Sequence, residues 1–202
     1  VIYNMGIVYS PKWKPFKERL TASELRAQYI ANSHCLVSVV HGEHHPKLLH
    51  IEFHGELAKI PSLKNSKLPG MNFVNPDVTA RLKAMDELFN REIHEAGYEN
   101  WSFGIEHIHV TAIFSDRDRA VNEDNLMSAI KDWLEPSTKP VGKSRSNRGW
   151  GVGVVQDDYY AHGYPVVGEM LGLHPTHTTI IIRPLSAMRE ALCNFVAQAS
   201  LV

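Results

Sequence analysis

Apolar residues recur at helical spacing in two stretches of this chain and alternate with polar ones in others. Over residues 78–96, Val78, Leu82, Met85, Leu88, Phe89 and Ile93 fall on one helical face, which predicts an amphipathic helix. Asn75 or Asp77 stands where it can cap the start, and Gly97 where it can end the helix. Leu126, Ile130, Trp133 and Leu134 give a second helix its stripe, stopped by Pro136. Residues 23–31 look helical as well, with Thr21 or Ser23 as N-cap. A terminal helix is expected over 185–201, with Met188, Leu192 and Phe195 on one side.

Strict alternation marks the strands. Residues 48–54 (LLHIEFH) have the period of a strand with one buried face. Residues 101–114 read as another: Ile108, Val110, Ala112 and Phe114 point one way, and His107, His109 and Thr111 the other. Residues 178–183 (TTIIIR) are β-branched and strand-like, 36–40 suit a short strand, and 150–156 a short strand or turn. Three stretches predict loops: 55–70, the basic 139–148, and the Gly- and Pro-punctuated 159–175. The order of elements predicts an α/β chain bordering on α+β, with helices packed on a small mixed β-sheet. Residues 1–47 are set apart as an N-terminal appendage, 48–184 as the main domain and 185–202 as the closing helix.

Composition narrows the class. The 202 residues suit one domain, and 44% apolar content is enough for a core. A net charge of −1 means that a nucleic-acid partner would need a local basic patch. Cys35 and Cys193 lie far apart and form no disulfide framework, no run is long enough to span a membrane, and no leader pattern opens the chain. A cytoplasmic protein is therefore expected. The 12 histidines are unusual, and His41, His44, His45, His50 and His54 cluster. Their spacing matches no defined zinc pattern, which favours ordinary loop and strand histidines over a His-dependent metal centre built on these and on His107 and His109.

Residues 116–134 (DRDRAVNEDNLMSAIKDWL) join charge, a polar knot and a helix, and the acidic pair Asp157-Asp158 follows beyond the basic stretch. Asp124 and Asp158 are the candidate catalytic carboxylates, with Asn122 offering an amide oxygen and Glu123 or Asp157 a further ligand. Hard cations such as Mg²⁺ take oxygen donors, and a bound ion polarises a phosphodiester and acidifies an attacking water. Lys131, two helical turns after Asp124, could steady charge on a phosphoryl oxygen. A plainer account stands beside this one: Asn and Asp are preferred N-caps, and Asp157-Asp158 suits a turn. Lys64, Lys67, Arg117, Arg119, Lys143 and Arg145 would form a phosphate-binding rim if their loops share an edge.

Read in order, residues 48–184 resemble the RusA family of Holliday-junction resolvases, common in prophages. The resemblance runs through a strand, the loop Pro61-Ser62-Leu63-Lys64-Asn65, a helix entered at Asn75-Pro76-Asp77, Asn122-Glu123-Asp124-Asn125-Leu126, and Asp157-Asp158. It implies a homodimeric endonuclease that cuts four-way DNA junctions with Mg²⁺ (or Mn²⁺) bound by three aspartates. Carried over by position, two of these are Asp124 and Asp158, and the third falls on Asn122, which adds no negative charge. The family's helix lysine falls on Ser128, with Lys131 the nearest replacement. Asn122 also allows a weakened member that binds branched DNA without cutting it.

Overall fold

The structure, a computed structural model, describes residues 20–43, 46–60, 75–98, 101–114, 123–141, 144–167, 177–189 and 193. These form an α/β fold: a mixed five-stranded sheet with helices against it, as expected. The elements are α1 (Ala22–Ala31), β1 (Ser33–Val40), β2 (Leu48–Gly55), α2 (Pro76–Glu95), β3 (Ile108–Phe114), α3 (Glu123–Leu134), β4 (Pro136–Val141), β5 (Ser144–Val152), β6 (Ala161–Val167) and β7 (Thr178–Pro184). Residues 185–189 are helical, where the terminal helix was expected to begin.

The sheet order is β1-β2-β7-β3-β6. Only β3 and β6 pair in parallel; the other neighbours are antiparallel. β7 is thus inserted between β2 and β3, which run the same way and are joined in sequence through α2. Leu49, Ile51 and Phe53 of β2, Ile108, Val110 and Ala112 of β3, and Ile180 and Ile182 of β7 are buried, as are Leu82, Met85, Leu88 and Phe89 of α2. Alternation puts these strand residues on one face and leaves His50, Glu52, His54 and His109 on the other. Trp133 of α3 closes the core, fully buried with edge contacts to Phe53 (5.6 Å) and Phe89 (5.5 Å). Its indole N–H donates to Asp86 of α2 at 2.7 Å, and the same carboxylate accepts from the Gly151 N–H at 2.9 Å.

The local signals explain the helices. α1 begins in a capping box between Thr21 and Glu24. α2 begins at Asn75, whose side chain accepts from the Asp77 N–H, with Pro76 in the first turn.

Four expectations are corrected. Residues 22–40, grouped with an N-terminal appendage, supply α1 and the strand β1, which pairs with β2 along its whole length. The strand expected from residue 101 begins at Ile108. Residues 139–141 and 144–148, expected to be part of a basic loop, belong to the antiparallel strands β4 and β5. Residues 161–167, expected to be loop, form β6. There Gly163 is required by crowding rather than by a turn: a Cβ on it would stand 1.7 Å from the Val110 carbonyl oxygen.

Candidate functional site

The C-terminal end of α3 is where the acidic residues meet. The helix turns Ile130, Trp133 and Leu134 into the core and leaves Lys131 and Asp132 half-buried. Its last carbonyls are satisfied by the returning chain, since the Gly153 N–H donates to Glu135 O and the Val155 N–H to Leu134 O, each at 3.1 Å. That return brings in a single 3-10 turn, Asp158–Tyr160, capped by Asp157, whose side chain accepts from the Tyr159 N–H at 3.1 Å. The Asp158 N–H donates to the Glu135 carboxylate at 2.8 Å. Oxygen atoms of Asp132, Glu135 and Asp158 lie within 4.8 Å of one another. Glu135 is buried, whereas Asp158 is exposed.

A second group adjoins it in the chain. The turn runs straight into β6, and His162 stands opposite His109 of β3 in the parallel register. His107, just ahead of β3, meets His162 with Nδ1 and Nε2 2.7 Å apart. The Tyr160 and Tyr159 rings stand 5.2 and 5.7 Å from the His107 ring. His107 is held by its backbone, because its carbonyl accepts from the Leu185 N–H at 2.9 Å. The pKa of His162 is lowered, first by burial and then by His107, Lys131 and His109. That favours the neutral imidazole, the form that offers a lone pair to a metal.

The expected residues are placed as follows. Asp158 and Lys131 belong to this corner, whereas Asp124 is placed by its backbone only, near the start of α3. A rise of about 1.5 Å per residue puts its Cα roughly 12 Å from that of Asp132. Asp158 therefore gathers with the end of the helix, where Asp132 and Glu135 were not singled out. Arg145 lies on β5 and is likewise placed by its backbone only. Asn122, Lys64, Lys67, Arg117, Arg119 and Lys143 lie outside the described residues, as do His44 and His45. His162 and the tyrosines were missed because Gly163 and Pro165 made their surroundings look like loop. The signal available was the pair His107 and His109 on one strand face. No family model, curated protein or solved structure matches the chain.

Proposed function

We propose that this chain is a divalent-cation-dependent endonuclease acting on DNA, in its specific form a homodimeric resolvase of four-way junctions. The observation that carries the reading is the meeting of Asp132, Glu135 and Asp158 at the end of α3. Their donor set is all oxygen, which suits Mg²⁺ or Mn²⁺. Asp132 and Asp158 would hold the ion, with Glu135 fixing the Asp158 backbone and sharing its charge. A bound ion there supplies charge neutralisation on a phosphodiester and a more acidic water. Lys131, on the same last turn of α3, would meet developing negative charge on a phosphoryl oxygen. The junction substrate and the dimer come from the resemblance to the RusA family.

A second reading keeps the substrate class and changes the nucleophile. It is favoured by the two tyrosine rings beside His107, and His107 and His162, whose ring nitrogens meet, would then hold the metal. A tyrosine oxygen bonds to phosphorus, the bond from phosphorus to the neighbouring sugar oxygen breaks, and the phenol's proton ends on that leaving oxygen. The strand remains covalently attached to the protein.

One assay separates the readings. Labelled four-way junctions and single strands are incubated with the intact chain and Mg²⁺ or Mn²⁺, and the products are run with and without protease. On the first reading cleavage leaves no adduct, and Asp158→Asn lowers the rate at least about 100-fold, a direct ligand mattering no less than its supports. On the second reading a protease-sensitive adduct appears and is lost in the Tyr159→Phe, Tyr160→Phe pair. Absence of any cleavage or adduct with either metal overturns both.

A further inference from the structure

On the face of the sheet turned away from α2 and α3, a third group of ligand-type side chains converges, and it is independent of the nuclease reading. Period-2 alternation along β2 projects His50, Glu52 and His54 from that face. His177, remote in sequence, arrives immediately ahead of β7, the strand paired with β2. One donor atom each from Glu52, His54 and His177 lies within 4.8 Å of the others. Glu52 Oε2 is 3.1 Å from His54 Nε2, and Oε1 is 3.8 Å from His177 Nε2. Donors on a tetrahedral zinc, each about 2.1 Å from the ion, stand roughly 3.4 Å apart. The two distances straddle that value, and the donor nitrogens of His54 and His177 lie within 4.8 Å of each other.

The surroundings favour this further. His54 is stacked between His34 of β1 (4.4 Å, 7°) and His177 (4.5 Å, 28°), which limits its freedom. His50 Nε2 lies 3.5 Å from Glu52 Oε1, so a third imidazole nitrogen stands next to the carboxylate. All three ligands are half-buried, enough to be fixed in place while remaining reachable. We infer that Glu52, His54 and His177 form a binding site for a borderline transition-metal ion of the zinc class. Two imidazoles and one carboxylate select such an ion over Mg²⁺, and this donor set leaves a fourth position for solvent or a ligand. Because β2 and the approach to β7 each contribute, the ion would also tie these two segments together.

The test uses the full chain, stripped with chelator and dialysed against zinc chloride alone, then against cobalt(II), whose visible absorption reports four-coordination. The expected result is one equivalent of metal lost in His177→Ala and His54→Ala, with affinity lowered at least 10- to 100-fold in Glu52→Gln. His177 lies outside the strand, so its replacement keeps the sheet pairing intact, and circular dichroism checks this. The loss should be the same in a chain already carrying His107→Ala, which separates this site from the one at β3. No stoichiometric zinc in the wild-type chain, or zinc held equally well by His177→Ala, overturns the inference.

Discussion

At the scale of single residues, Asp86 carries the most consequence. It is a half-buried carboxylate that accepts hydrogen bonds from Trp133 and Gly151, joining α2 to α3 and β5. Burial pushes its pKa up to about 6, against the pull of those two donors and of Arg26 and Lys83. A carboxyl whose folded pKa exceeds its unfolded value holds its extra proton more tightly when folded. Its contribution to stability is therefore full below about pH 4 and is lost as the pH rises through about 6. Asp86→Asn removes this titration. Urea melts of the two chains should show their stability difference moving in favour of Asn, by on the order of 2–3 kcal/mol, between about pH 4 and pH 7. Asp86→Ala strands two donors and should cost about 2–4 kcal/mol near pH 4, a cost that shrinks as the pH rises through about 6 because alanine does not titrate either. A flat difference across the range would mean that Asp86 ionises normally.

At the scale of elements, the β3–β6 pair decides whether the His107–His162 group exists. Gly163→Ala would drive a methyl group into the Val110 carbonyl, so the parallel ladder must open. The expected loss is about 3 kcal/mol or more in chemical denaturation, with loss of any metal or adduct chemistry that depends on His162. An alanine chain as stable as wild type would show that β6 relocates without cost. This pair also shows what could be read from the chain. α2 was legible because six apolar residues repeat every three or four positions and Asn75 and Gly97 mark its ends. β6 was not, because a glycine placed for close backbone approach looks the same in sequence as a glycine placed for a turn. The β4–β5 hairpin was hidden for a different reason: its sequence lacks alternating apolar residues, so backbone pairing alone defines it. Of the acidic site, Asp158 was legible as half of a pair. Asp132 and Glu135 were not, since on a helix they look like ordinary surface charges until the returning chain is seen to cover them.

At the scale of the whole molecule, α1 and β1 are integral to the fold. Tyr29 of α1 is buried, donates its hydroxyl to Asp77 and lies beneath the Arg81 guanidinium of α2, while Arg26 pairs with Glu87. Cys35 of β1 is buried, and burial pushes its thiol pKa up. Removing residues 1–47 would uncover the flank of α2 and leave β2 without its β1 neighbour, with its backbone donors and acceptors unpaired. Such a chain should be insoluble or fail to show a cooperative melt when compared with the full chain by circular dichroism. A cooperative melt from residues 48–202 alone would show that the first helix and strand are dispensable.

The place of β7 has a consequence for the order in which the protein can be made. β2 and β3 have no common neighbour until residues 178–184 leave the ribosome, because the strand between them is the last in the chain order of the sheet. A nascent chain halted before that point holds two separate strand pairs, each with an open flank. His177 arrives with the same segment, and the Leu185 N–H that grips His107 follows it. Both histidine groups are therefore completed late in synthesis, with the last strand of the sheet.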